Sequence, residues 1–205
     1  MAFDLMPLPL LDVANAARGD LLLRSTAAWQ RLPKGSNGQV LAAGSDDTAW
    51  AWRGWVQRAI ASTAAHLPIP NTARIPGDDS MPQQSEGTEI LSVSITPKSA
   101  ASLLRIQVDL PLIQLPVSVA LTAIASLYRD ATADPIRAKA IPFAGAENQS
   151  LGMVAEVSAG SMAATSFKLR IGPVENYSLY LHGGSGGRLF GGALTSLLIV
   201  DEFAP

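Results

Sequence analysis

The second half of the chain alternates apolar and polar residues with a period of two, and this pattern constrains the fold more than any other feature. Its clearest segment alternates four apolar residues with three polar ones: Leu104, Ile106, Val108 and Leu110 with Arg105, Gln107 and Asp109 between them. Successive side chains of a β-strand point to opposite faces of the sheet. The period therefore predicts a strand that buries Leu104, Ile106 and Val108 and exposes the polar residues.

Similar segments follow one another from residue 87 to residue 205, separated by glycine, proline and asparagine. The predicted strands are 91–95, 104–110, 117–128, 136–143, 151–157, 166–171, 177–181 and 194–203. Strands that recur about every ten residues with turn residues between them are typical of antiparallel β-sandwiches. We therefore expect residues 87–205 to form a jelly-roll sandwich and the chain as a whole to be mainly β.

The region 19–66 begins with very short strands and turns. An apolar run at 21–23 and a short strand at 39–41 lie on either side of Asn37–Gly38, a dipeptide that favours hairpin turns because both residues tolerate positive φ. Strands this short enclose too little apolar mass for a core of their own. The region is therefore expected to pack against copies of itself.

The last part of this region, residues 53–66, also fits a helix. Trp55, Ala59, Ile60 and Thr63 fall near one face when the segment is wound at 3.6 residues per turn. The sequence therefore predicts a short helix here. Residues 67–86 follow, with four prolines and few apolar side chains, and they predict a linker between two domains.

Residues 1–18 form an apolar leader. Pro7 and Pro9 interrupt its apolar run and its first basic residue is Arg18, a pattern that argues against a secretory signal peptide. A leader of this kind is too apolar to stay in water and too short to fold alone, so we expect it to dock on another surface. The expected docking residues are Phe3, Leu5, Met6, Leu8, Leu10 and Leu11.

The composition limits the classes of partner. Charged residues make up 16% of the chain and apolar residues 48%, which indicates that sister subunits cover part of the surface. A formal net charge of −2 gives no electrostatic footprint for nucleic acid. Apolar runs stop short of the ~20 residues that a membrane helix needs, so membrane insertion is not expected. There is no cysteine, which excludes disulfides and thiolate metal sites.

The residues that carry catalytic chemistry are sparse, and we expect neither an enzyme nor a cofactor. The two histidines, His66 and His182, are far apart in the sequence, and adjacent acids such as Asp201–Glu202 are typical of solvated surface. The glycine-rich run 183–188 lacks both the dinucleotide-binding and the phosphate-loop patterns, and is better explained as a hairpin loop. An alternative for His182 is a structural metal site shared by three copies on a trimer axis.

Two parts of the chain resemble bacteriophage fibre proteins. The stretch GDLLLRSTAAWQRLPKGSNGQVLAAGSDDTAWAW, residues 19–52, closely resembles a module of tail and head fibres. The pieces SVSITPKSAASLLRIQVDL, SLYRD, AGSMAATSFKLRIGP and GRLFGGALTSLLIVDEF, at 92–110, 126–130, 159–173 and 187–203, are similar to fibre tip domains. In that family the tip is a trimeric jelly roll of the tumour necrosis factor type.

The resemblance implies a structural virion protein: a homotrimeric fibre that docks on other virion proteins through its N-terminus and binds a host-surface glycan or protein with its tip. One alternative is a head fibre or capsid decoration protein without a receptor role. Another is a virion-associated glycan hydrolase, although the sequence offers no recognisable acid pair or nucleophile. Virion localisation follows from each of these.

Aromatic residues near the C-terminal loops are the candidate receptor contacts. Tyr177, Tyr180 and His182, together with Arg188, are expected to lie at one end of the sandwich, although each aromatic residue also suits packing in a sheet. The tryptophans at 29, 50, 52 and 55 offer a second platform for sugars. Burial between three copies of the shaft region is the favoured interpretation for these tryptophans.

The leader yields the first prediction. Deleting residues 1–18 is expected to leave a soluble, folded protein that no longer incorporates into virus particles, because the apolar anchor is lost. Immunoblotting of purified particles measures incorporation, and the full-length chain is the control. If the shortened chain still incorporates, the docking role belongs to another segment.

Overall fold

The computed structural model describes residues 17–24, 29–36, 39–43, 48–51 and 54–204. The strands are β1 Leu21–Arg24, β2 Trp29–Leu32, β3 Val40–Ala43, β4 Thr48–Ala51, β5 Trp55–Thr63, β6 Leu67–Ile69, β7 Thr88–Ile95, β8 Leu103–Leu115, β9 Leu121–Arg129, β10 Arg137–Phe143, β11 Glu147–Ser158, β12 Thr165–Pro173, β13 Leu179–Leu181, β14 Gly183–Gly184, β15 Gly187–Arg188 and β16 Ser196–Phe203. A 3₁₀ turn spans Phe190–Gly192. The chain divides into two compact units between Arg53 and Gly54.

The N-terminal unit consists of two antiparallel hairpins, β1 with β2 and β3 with β4. None of its described residues between 17 and 51 is fully buried, and Leu22 and Val40 are 38% and 44% exposed. Strands of four residues bury too little apolar surface to form a core, as the sequence predicted. The predicted Asn37–Gly38 turn lies outside the described residues.

Trp50 packs against the described residues of this unit. Its indole Nε1 donates a hydrogen bond to the carbonyl oxygen of Pro33 over 2.7 Å. The ring lies against Gly35, where an added Cβ would come within 2.6 Å of Trp50 Cδ2. Trp50 is therefore used, at least in part, inside its own chain.

The C-terminal unit is a jelly roll built from two four-stranded antiparallel sheets. The first sheet has the strand order β5-β16-β8-β11 and the second the order β7-β12-β9-β10. This order, in which strands adjacent in the sequence lie in opposite sheets except for the paired β9 and β10, is that of an eight-stranded double Greek key. Strands β6 and β13 extend the first sheet beside the second half of β8. The predicted jelly roll is confirmed.

The core lies between the two sheets and follows the predicted alternation. In β8 the side chains of Leu104, Ile106 and Val108 are buried, and those of Arg105 and Asp109 are exposed. The facing strand β12 contributes its own alternate residues, which are fully buried: Phe167, Leu169 and Ile171. The assignment of inner and outer faces in these two strands is therefore confirmed.

The helix predicted for residues 53–66 is wrong, because this segment forms the edge strand β5. It pairs with β16 from Trp55 opposite Phe203 to Thr63 opposite Ser196. Ala59 and Ala61 pack on the core, whereas Ile60 points outward and is 54% exposed. Nine residues fit either period, and pairing with β16, far away in the sequence, decides in favour of the strand.

The segment 67–86, predicted as a linker, lies inside the C-terminal unit. Ile75 is fully buried, and its N–H donates to the carbonyl oxygen of Pro173. A Cβ on Gly172 would come within 2.4 Å of the carbonyl oxygen of Ala73, so glycine is needed for this close approach. The side chain of Arg170 donates to the carbonyl oxygens of Glu86 and Gly87. From Ala73 onward the segment is thus packed on the second sheet.

The first and last strands of the unit meet at one end. Ala204 N–H donates to the carbonyl oxygen of Gly54 over 2.8 Å. This hydrogen bond extends the pairing of β5 with β16 just beyond the paired residues Trp55 and Phe203.

The buried face of β8 yields a stability prediction. Replacing Ile106 with alanine is expected to lower the free energy of unfolding by about 2–5 kcal/mol, because the lost side chain leaves a cavity in a close-packed core. Met162→Ala, at a position that is 60% exposed, is the matched control and is expected to have little effect. Urea unfolding measures both variants, and equal effects would show that the face is assigned wrongly.

Candidate binding site at the loop end of the sandwich

The connections between strands are distributed unequally over the two ends of the jelly roll. The segments 64–87, 116–120, 144–146 and 174–195 lie at one end, called the loop end. The segments 96–102, 130–136 and 159–164 lie at the other end, together with Gly54, and this end is called the Gly54 end. The two longest connections therefore share the loop end, opposite the point where the chain enters the sandwich.

These two connections pair with each other. Strand β6 of the first connection is antiparallel to β13 of the second, with Tyr180 opposite Pro68. On its other side Tyr180 lies opposite Gln114 of β8. Leu179 and Leu181 are fully buried, so β13 is anchored and the side chain of Tyr180 is held on the outer face.

Tyr180 and His66 form a flat aromatic platform. Their rings are stacked with centroids 5.7 Å apart and planes inclined by 4°. His66 is fixed in turn, because its Nε2–H donates to the carbonyl oxygen of Gly184 over 3.0 Å. Rings held by packing and by a hydrogen bond lose little conformational freedom when a ligand binds.

A side-chain amide lies beside this platform. A Cβ on Gly184 would overlap Oε1 of Gln114, so the amide lies directly over the glycine backbone. The amide of Gln114 has no hydrogen-bond partner in the described part of the chain. It therefore offers both a donor and an acceptor to a ligand. Gly183 is equally constrained, since its Cβ would come within 2.2 Å of the carbonyl oxygen of Gly187.

The segment beyond the platform ends in an exposed aromatic residue. Strands β14 and β15 form a small hairpin, and the following turn presents Phe190 with 69% of its surface exposed. Phe190 has a φ of 54° and is followed by Gly191 and Gly192 at 61° and 92°. Positive φ is rare for an aromatic residue and is found disproportionately at functional sites. The loop end thus combines a stacked platform, an unpaired amide and a projecting phenyl ring.

His182 does not belong to this surface, which corrects its assignment as a receptor contact. The side chain is fully buried. Its Nδ1–H donates to the carbonyl oxygen of Ala65 over 2.8 Å, and Nε2 is hydrogen-bonded to the hydroxyl of Ser196 over 2.7 Å. A carbonyl oxygen can only accept, so Nδ1 carries a proton in this pair. Both nitrogens are occupied, and the arrangement leaves no ligand atom for a shared metal.

The other predicted receptor contacts are exposed to different degrees. Tyr177 is 38% exposed and lies in the connection between β12 and β13. Arg188 is exposed at the end of β15, and its guanidinium packs beside Gly192. The predicted docking residues lie outside the described residues: Phe3, Leu5, Met6, Leu8, Leu10 and Leu11.

Sequence reasoning identified Tyr180 but missed His66, Gln114 and Phe190. His66 and Gln114 join the site only through the pairing of β6, β13 and β8. No local sequence pattern predicts this pairing. Phe190 had a usable signal, since a large aromatic residue inside a glycine-rich segment has no strand to pack in.

Other kinds of site find little support. The described residues contain no group of three or more metal-ligating side chains. Across the same residues, no helix is long and apolar enough to cross a membrane. A shallow depression of about 320 Å³ lies away from the loop end, on the outer face of the first sheet between Gln107, Val154 and Ile199.

Comparisons with known proteins give distant structural neighbours. No family model matches the chain, and no curated protein does. A structure of infectious bursal disease virus, Gx strain, aligns with 89% of this chain and 46% of its own, at 15% identity and a TM-score of 0.35. A VP2 subviral particle of the same virus aligns with 86% of this chain and 43% of its own, at 18% identity and a TM-score of 0.30. This chain spans less than half of each, so a functional assignment depends on its own geometry.

The burial of His182 yields a prediction that separates a structural role from a binding role. His182→Ala is expected to lower the free energy of unfolding by about 2–4 kcal/mol, because it leaves the Ala65 carbonyl and the Ser196 hydroxyl buried without partners. Tyr177→Ala is the exposed control and is expected to change stability little. Thermal or urea unfolding measures both variants, and a His182→Ala protein as stable as the control would contradict the structural role.

Proposed function

We propose that this chain is a structural attachment protein of a virus particle, which docks through its N-terminal region and binds host-surface glycans with the loop end of its jelly roll. The observation that carries the proposal is the collection of the two longest connections at the end opposite Gly54. A scaffold that places its longest loops away from its point of attachment suits recognition of an outside surface.

The chemistry of the loop end favours glycans as the ligand class. Aromatic faces such as the Tyr180–His66 platform pack against the apolar faces of sugar rings. The phenolic hydroxyl of Tyr180 has no hydrogen-bond partner among the described residues, so it can make polar contacts with a ligand. The amide of Gln114 supplies one donor and one acceptor of the kind that sugar hydroxyls require. A protein receptor remains the second ligand class, since Phe190 offers an apolar anchor of the kind found at interface hot spots.

A non-catalytic role is part of the proposal. A general acid of a glycosidase needs a carboxyl group whose pKa is raised. The carboxyl groups of the described residues with a clear shift have the opposite one. Hydrogen bonds from Arg58 lower the pKa of Asp201, and those from Ser80 lower the pKa of Asp78. These carboxylates are held in their charged form by structural contacts and do not offer the protonated general acid that hydrolysis needs.

Presentation in several copies would strengthen such a site. Shallow sites with one platform bind weakly, and linking several copies raises the effective concentration of the second and third. The resemblance to phage fibres implies a homotrimer, in which three loop ends would face the host together. The homotrimer, the fibre location and the phage origin remain parts of this proposal.

The proposal is tested by binding of the purified chain to arrays of bacterial surface glycans and to host cells. Tyr180→Ala and Phe190→Ala are expected to weaken binding about tenfold each, because each removes an aromatic contact surface. Met162→Ala, an exposed apolar position at the Gly54 end, is the matched control and is expected to bind normally.

The alternatives give different results in the same assay. A decoration protein without a receptor role would bind neither glycans nor cells. A protein receptor would give cell binding that survives removal of the surface polysaccharide. Binding that is unchanged in both aromatic variants would place the site elsewhere and contradict the proposal.

A further inference from the structure

The outer face of the first jelly-roll sheet carries a regular grid of side chains, set by the registers of β5, β16, β8 and β11. Three rows run across these strands, each with one residue per strand in that order. The charged row is Arg58, Asp201, Arg105 and Glu156. The isoleucine row is Ile60, Ile199, Gln107 and Val154. The aromatic row is Trp55, Phe203, Leu103 and Ser158.

The charged row is neutral and satisfied within the chain. Arg58 donates two hydrogen bonds to Asp201, over 2.7 and 2.8 Å, and Arg105 pairs with Glu156 over 2.7 Å. The hydrogen bonds from Arg58 lower the pKa of Asp201, so the carboxylate stays charged. Covering this row therefore leaves no unpaired charge, which is the usual obstacle to burying ionic groups.

The two flanking rows expose apolar surface that the described residues of the sandwich do not cover. Ile60, Trp55 and Val154 are 54%, 57% and 47% exposed, although all three lie on regular strands. Gly152 follows the isoleucine row on β11, and its missing side chain leaves the shallow depression of about 320 Å³ beside Val154 and Ile199. Exposed apolar residues grouped in two rows of one sheet face are typical of a contact surface.

We propose that this face pairs with the same face of a second copy of the chain, about a two-fold axis that runs parallel to the strands. Such an axis reverses the order of the strands and keeps each row opposite its own equivalent. The inference is independent of receptor binding at the loop end.

The charged row is complementary to itself under this operation. Its signs alternate as plus, minus, plus, minus across the four strands, so the reversed row presents minus, plus, minus, plus. Arg58 then faces Glu156 of the second copy, and Asp201 faces Arg105. Every other direction of pairing that keeps the rows aligned sets like charges opposite each other, which interfaces avoid.

The apolar rows match under the same operation. Ile60 of the second copy stands opposite Val154, beside the depression left by Gly152. Phe203 stands opposite Leu103. Two-fold interfaces require this property, in which one patch is complementary to itself.

The size of the grid indicates a weak, concentration-dependent association. Strands lie about 4.8 Å apart and alternate residues rise by about 6.7 Å, so four strands and three rows cover roughly 390 Å² on each copy. Together the two copies bury about 800 Å², below the size of stable specific interfaces. The pairing is therefore expected at high local concentration, as on a particle surface.

The proposed alignment of the two faces is tested with charges at Ile60 and Val154. These two positions face each other only across the proposed axis. Ile60→Glu and Val154→Lys each put a buried charge into the interface and are expected to weaken self-association at least tenfold. The double variant places Glu opposite Lys at both ends of the interface and is expected to recover most of the association. Within one chain the two positions are three strands, or about 14 Å, apart, so a direct pair inside the chain is largely screened.

Sedimentation equilibrium of the full chain over a range of concentrations measures the association, and Val117→Glu, an exposed apolar position outside the grid, is the control. The expected result is an even-numbered assembly that both single variants weaken, the double variant restores and the control leaves unchanged. A homotrimer formed elsewhere leaves this face free and gives a hexamer. The inference is overturned if the wild-type chain stays monomeric. It is also overturned if Ile60→Glu and Val154→Lys leave the assembly unchanged, or if the double variant does not recover the association.

Discussion

Strand β8 holds the structure together, because it pairs along both of its edges with different parts of the chain. One edge carries β11 along its whole length. The other carries β16 as far as Asp109, and then β13 opposite Ile113 and Gln114. A slip of one residue would break both ladders and turn the core residues of β8 to the outside. The same strand that buries Ile106 therefore also fixes the position of Gln114 at the loop end.

The sequence was sufficient for the jelly roll where one face of a strand meets the core and the other meets water. The segments around Leu104–Leu110 and Phe167–Ile171 satisfy this condition, and their alternation predicted both the strands and their inner faces. Strand β5 does not satisfy it, because Ile60 is apolar and exposed while alanines face the core. An apolar residue on the outer face removed the period of two and left a pattern that a helix also explains. The proline-rich segment 67–86 was misleading for a related reason, since two buried side chains, Ile69 and Ile75, are enough to fasten it to the sandwich.

The candidate site was only partly accessible to sequence reasoning. Tyr180 follows from its position near the C-terminal loops, but its stacking partner His66 lies 114 positions earlier in the chain and reaches it through strand pairing. His182 shows the opposite error. A polar side chain near a loop was expected at the surface, yet a carbonyl and a hydroxyl satisfy both ring nitrogens in the interior. Polarity predicts exposure only when the fold supplies no internal partners.

The hydrogen bond between Ala204 and Gly54 brings the two ends of the sandwich together at the end opposite the loops. A folding unit with adjacent ends can be grafted into a surface loop of another protein as a single cassette. The unit is also suited to circular permutation, in which a short peptide joins the two ends and new ends are made in another loop. The sandwich can thus be inserted into another protein as a domain. Insertion through this end leaves the Tyr180 platform unobstructed.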